Sequence, residues 1–156
     1  MSEAVNISSE IERIATTIPF TQLLTGSWRV ATQAIIETFS DLGKSLNYTP
    51  QVEWLYDLIW FREENGMLSK LPMVMECEWN RGRRHNDECD TDFQKLVQAR
   101  ADVRLWISTS PDSAETHIEN CKRQARAFGG AVAGDRYVFA VYDWTKVRPL
   151  IEQFRV

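Results

Sequence analysis

Two apolar stretches constrain this chain more than any other feature: Val52 to Arg62 (VEWLYDLIWFR) and Leu71 to Trp79 (LPMVMECEW). Both are rich in aromatic and β-branched residues, as strands are. Glu63-Glu64-Asn65-Gly66 lies between them as a turn, with Asn-Gly as its signal. So short a connection predicts antiparallel pairing. The first stretch is almost continuously apolar, which predicts a strand covered on both faces. Pro72 is expected at the start of the return strand, where a missing N–H is tolerated. Acids break both stretches, Asp57 in the first and Glu76 with Glu78 in the second.

Around this hairpin the period is helical. Residues 8 to 24 read as a short helix, capped by Ser8 or Ser9 and interrupted at Pro19. Residues 28 to 46 give a stronger one, with Trp28, Ala31, Ile35, Phe39 and Leu42 on one stripe and Ser27 as N-cap. Asn80 to Asp90 is a polar loop. Thr91-x-x-Gln94 has the form of a capping box opening a helix to Ala101, buried through Phe93, Leu96 and Val97. Val103 to Ser108 reads as a strand. Ser110-Pro111-Asp112 opens a helix that Gly129-Gly130 stops. Tyr137 to Tyr142 is a further strand, and the tail from Pro149 to Val156 adds a short helix or strand. The pattern predicts an α/β fold, a mixed central β-sheet flanked by helices. It reads as a single domain over 1–156, with a helical extension (1–26), a core (28–108) and a C-terminal helix and strand (109–156).

Composition narrows the class. The chain has 156 residues, 44% hydrophobic and 26% charged, with a formal net charge of −4. That balance excludes a binder that works by bulk positive charge, yet allows a local basic groove. Three cysteines, Cys77, Cys89 and Cys121, have no paired spacing, so a reducing, cytoplasmic setting is expected. The first residues have the character of neither a signal nor a transit peptide. No apolar run is long enough for a membrane span. Six Trp are expected mainly in the core.

The acids carry the chemistry. Residues two apart on a strand share a face, about 7 Å apart, so Glu76 and Glu78 point together and Asp57 lies beside them. Carboxylates gathered on one patch repel, and a hard cation such as Mg²⁺, which takes oxygen ligands, removes the conflict. Such a metal serves phosphodiester chemistry. The bland alternative places the three acids on a solvated face.

The order helix, strand with Asp57, strand with Glu76-Cys77-Glu78, helix, strand resembles the PD-(D/E)xK nuclease superfamily over roughly residues 28 to 108. The resemblance implies a restriction-endonuclease-like core and hydrolysis of DNA or RNA with Mg²⁺ (or Mn²⁺). It implies that Asp57 and Glu76 bind the metal, with the main-chain carbonyl of Cys77 as a further ligand. Glu78 stands where the family usually has Lys, and Tyr56 stands where it has Pro. Glu78 would then bind metal or orient the attacking water. A Lys displaced to the following helix, as in other relatives, points to Lys95, and a helix Gln facing the site points to Gln94. By helical spacing Lys95 projects away from the stripe of Phe93, Leu96 and Val97. Glu37, on the first core helix, lies opposite the apolar stripe and reads as solvated. Cleavage of both strands of a duplex asks for two sites, hence a homodimer.

Arg81, Arg83 and Arg84 follow the Glu pair and could neutralise substrate phosphates, or merely solubilise a loop that ends in acids. Trp79 at its root could stack on a base. His85 and Cys89 are too few for zinc, His117 is expected at the surface, and Cys77 is expected to be a core residue. Two other functions stand beside the nuclease. One is a catalytically inactive relative acting as an interaction module. The other is a small-molecule binder with Trp54, Trp60 and Trp106 around one cavity.

Overall fold

The computed structural model describes residues 2–79 and 88–156. Among these residues the chain forms a mixed, open sheet of six strands with five helices. Helices α1 (Glu3–Ala15), α2 (Phe20–Leu24) and α3 (Trp28–Ser45) come first. Strands β1 (Thr49–Val52), β2 (Leu58–Glu64) and β3 (Met67–Glu78) follow, then α4 (Glu88–Gln98), β4 (Val103–Ser110), α5 (Ala114–Ala127), β5 (Arg136–Asp143) and β6 (Arg148–Arg155). The strands lie side by side in chain order. Pairs β1–β2, β2–β3 and β5–β6 are antiparallel, and β3–β4 and β4–β5 are parallel. No helix among the described residues is long and apolar enough to cross a membrane.

Alternation along the strands builds two cores. Leu58, Trp60, Met73, Met75, Leu105, Ile107, Val138 and Ala140 face α1–α3. Ile59, Val74, Trp106, Phe139 and Val141 face α4 and α5. Both faces are covered, which is why these strands read as nearly continuous apolar runs. The crossovers through α4 and α5 pack on one face, as two steps in the same direction and of one hand require. Trp60 and Trp106 fall in different cores and Trp54 is exposed, so the three tryptophans line no common cavity.

Several elements depart from the sequence expectation, each for a local reason. Helix α1 starts at Glu3, so Ser8 and Ser9 are interior and return their hydroxyls to Val5 O, both at 3.0 Å. The stretch 52–62 is not one strand. Glu53 takes a left-handed φ of 54°, residues 53–57 form a loop, and β2 begins only at Leu58. Thr49–Val52, to which the sequence assigned no separate strand, is an edge strand, β1. At Asn65-Gly66 both residues have positive φ, 53° and 74°, as a primed hairpin turn requires. Strand β3 starts earlier than expected, so Pro72 lies inside it. Trp60 pairs with Met73 and Arg62 with Lys70, leaving Leu71 and Pro72 both opposite Phe61. That is a β-bulge, where a proline costs no ladder hydrogen bond.

Helix α4 begins at Glu88 and ends at Gln98, so Thr91 is inside it and not its cap. Helix α5 is capped by Ser113, which accepts from Thr116 N at 3.2 Å, three residues past the expected opening at Ser110. His117 is buried, not at the surface, because Trp106 Nε1 donates to its Nε2 at 3.0 Å. The tail is a strand, β6.

Candidate active site

The hairpin delivers the acids to the face covered by α4. Asp57 closes the 53–57 loop, one residue before β2. Its Oδ2 accepts the Cys77 backbone N–H at 2.8 Å, so the carboxylate continues the β2–β3 ladder beyond its last strand pair, Leu58 with Met75. Burial raises the Asp57 pKa, and Asp92 and Glu53 push the same way, against the Cys77 N–H and Lys95.

Glu76 is buried in β3, in register with Trp106 of β4. Lys95 Nζ from α4 stands 3.0 Å from Oε1, an ion-pair contact, and 2.6 Å from Asp92 Oδ1. Glu76 Oε1 itself is buried without an aligned hydrogen bond. Burial lifts the Glu76 pKa to about 7, repulsion from Asp57 and Asp92 adds to this, and Lys95 opposes it. The Lys95 pKa is raised: burial works against the ammonium, but Asp92 and Glu76 outweigh it. The sequence-based direction for Lys95, away from the sheet, is therefore corrected. The Cα lies on the outer side of the helix, but the long stem carries the amine around its edge to Glu76 while the side chain stays 44% exposed.

Glu78 ends β3, half-buried and level with Ser108 of β4. Cys77 points to the opposite core, where burial pushes its thiol well up and leaves it unreactive. Gln94 is exposed, and its carbonyl accepts from Gln98 Nε2 at 3.2 Å. Glu37 is exposed and accepts from Gln33 Nε2 at 2.9 Å. Trp79 is buried, donating to Thr32 Oγ1 at 2.7 Å, so its ring is not offered to a base. Arg81, Arg83, Arg84 and His85 lie outside the described residues.

Three contributors escaped sequence reading. Asp92 holds Lys95 and repels both Asp57 and Glu76. Tyr56, noted only as a replacement for Pro, places its hydroxyl 3.5 Å from Lys95 O, and burial and Glu76 raise its pKa. Arg104, buried in β4, donates to the carbonyls of Leu96, Ala99 and Ala101 and pairs with Asp135 at 3.2 Å. It anchors the end of α4, and hence the base from which Lys95 reaches. Its signal was present as a charge inside an apolar strand, the same signal that marked Asp57.

No family model, curated protein or solved structure matches this chain. Among the described residues, no three His, Cys, Asp or Glu side chains are gathered as a metal-ligand group. What is gathered is one buried carboxylate, Glu76, and one half-buried one, Asp57, with one ammonium and a third acid beside them.

Proposed function

We propose that the chain is a nuclease that hydrolyses phosphodiester bonds in DNA or RNA with a divalent cation. The observation that supports this is the meeting of Asp57, Glu76 and Lys95: two acids strained by burial and one fixed cation, drawn from three adjoining elements. Structural acids are seldom brought together against their own repulsion, whereas sites that bind or activate something are.

The donor set suits Mg²⁺ or Mn²⁺. Glu76 Oε1 is buried with Lys95 Nζ 3.0 Å away, and one oxygen of Asp57 is left beside the one tied to Cys77. Asp57 and Glu76 would hold the ion, with the Cys77 carbonyl as a further oxygen. When bound, such an ion polarises a phosphate and acidifies a water. Lys95, protonated across neutral pH, would stabilise the charge that develops on the phosphate oxygens as the P–O bond breaks. Glu78, on the same face as Glu76, would orient the attacking water and take its proton. Gln94, one residue from Lys95 and exposed, would meet substrate and not the metal.

The test is calorimetric titration of Mn²⁺ and Mg²⁺ into the wild type and Glu76→Ala. Saturable binding lost in the variant is expected. No binding at millimolar metal in the wild type would count against a nuclease. A second reading, an inactive nuclease-fold interaction module, draws on one feature: Lys95 already neutralises Glu76 without any added ion. It predicts wild-type and variant titrations that do not differ.

A further inference from the structure

We infer that Trp54 is a stacking platform for an unpaired base of a single-stranded nucleic acid lying across the carboxylate site. The inference rests on the nuclease reading and deepens it by naming the substrate form. Of six Trp, five are buried or half-buried. Trp54 alone is well exposed, at 49%, and Leu55 beside it is 65% exposed. Together they form the tip of the 53–57 loop, whose last residue is Asp57.

Both stems of that loop are fixed. Glu53 N donates to Asp57 O at 3.4 Å, and the Asp57 carboxylate takes the Cys77 N–H. Tyr56, half-buried, sets its hydroxyl against α4 at Lys95 O. The tip is thus held out from an anchored base, with a large aromatic ring in water. Three residues of extended chain span at most about 10 Å. A phosphate that a cation would hold against Asp57 and Glu76, and the base of an adjoining nucleotide, fall within that reach.

The size and charge of the loop select the occupant. The exposed apolar area of Val52, Trp54 and Leu55 is on the order of 300 Å², far below the roughly 800 Å² per partner of a stable protein interface. One base needs only one aromatic face. Residues 49–57 (TPQVEWLYD) contain two acids, Glu53 and Asp57, and no Lys or Arg, so the loop offers no cation for phosphates. Its contribution is stacking, which is tolerant of base identity and insensitive to salt, in contrast to phosphate contacts. Bases in a duplex are already stacked on each other, so the single strand is the preferred form.

The test is fluorescence anisotropy of a labelled oligothymidylate, and of the same length of duplex, with the full chain in Mg²⁺. Wild type, Trp54→Ala and Trp54→Phe are compared at two salt concentrations. Because the ring is exposed, the variants should unfold at the same urea midpoint as wild type. Expected is a loss of single-strand affinity of about 10- to 100-fold in Trp54→Ala, equal at both salts and largely restored by Trp54→Phe. Unchanged affinity in Trp54→Ala, or wild-type binding to duplex alone, would overturn the platform and leave the nuclease reading standing. If the wild type binds no nucleic acid, the platform falls as well. The metal titration with Glu76→Ala then tells whether the metal site falls with it.

Discussion

Replacing Glu76 by Gln tests the electrostatics of the site without any substrate. In the native state Glu76 titrates near 7, against an ordinary 4.5, because burial disfavours its charge more than Lys95 compensates. Between those values the folded protein keeps a proton that the unfolded chain has released, so wild-type stability falls as pH rises through that window. The displacement corresponds to about 3 kcal/mol. Gln imitates the neutral acid and cannot ionise. The variant should therefore gain on the wild type progressively from about pH 4.5 to 7.5 and hold a constant advantage above it. With a urea dependence of about 2 kcal/mol/M, the midpoint difference should open by roughly 1.5 M across the window. Asp57, whose pKa is also raised, is present in both proteins and largely cancels in the difference. Urea unfolding of both at a series of pH values is the assay. A midpoint difference that does not change with pH, or that widens on acidification, would refute the placement of an uncompensated carboxyl at Glu76.

Lys95→Met removes the only cation in contact with Glu76 among the described residues. The Glu76 carboxyl, followed by carbon-detected NMR, should then titrate above 7. Lys95 is substantially exposed, so the stability loss should stay near about 1 kcal/mol, while the nuclease activity proposed above should fall sharply. Gly43→Ala tests the helix–sheet contact. A Cβ there would sit 2.6 Å from Trp60 Nε1, which donates to Phe39 O at 2.9 Å, and thermal unfolding should show a loss of about 1–3 kcal/mol. Asp143→Ala removes the acceptor of Ala114 N at 3.0 Å and Lys146 N at 2.8 Å. These backbone donors hold the Asp143 pKa below the usual value despite burial. The wild type therefore loses this contribution as pH falls through the acidic range, and the gap to the variant, about 1–3 kcal/mol at neutral pH, should close there.

The parts of the fold that the sequence disclosed are those where one local signal faces no rival. Asn65-Gly66 fixed the hairpin because positive φ at both positions is costly for most other residues. The stripe of α3 and the apolar runs of β4 and β5 were legible because burial dictates their periods. What stayed hidden depends on partners distant in sequence. Thr49–Val52 is a strand only because β2 pairs with it, and no apolar alternation marks it. Pro72 sits inside β3 because Phe61 across the hairpin absorbs the extra residue in a bulge. In the site, Asp57 and Glu76 were found because an acid in an apolar strand demands a reason. Lys95 was placed on the wrong side because a helical wheel locates Cα atoms, not the end of a four-carbon stem. Asp92 and Arg104 were passed over because their roles are defined by what they touch.

The six strands lie across the sheet in the order in which they occur along the chain. Each new strand therefore docks on an edge already in place, and no strand has to be inserted between two others. The closures of the antiparallel pairs are short, whereas β3–β4 and β4–β5 close only across the α4 and α5 crossovers. During synthesis strands β2 and β3 pair first, and α4 with Lys95 emerges next, before the second half of the sheet exists. For that interval the carboxyls of Asp57 and Glu76 are open on the face that α4 will cover. Until the helix arrives the carboxyls stay hydrated, so the penalty of burying charge is met only when α4 packs down.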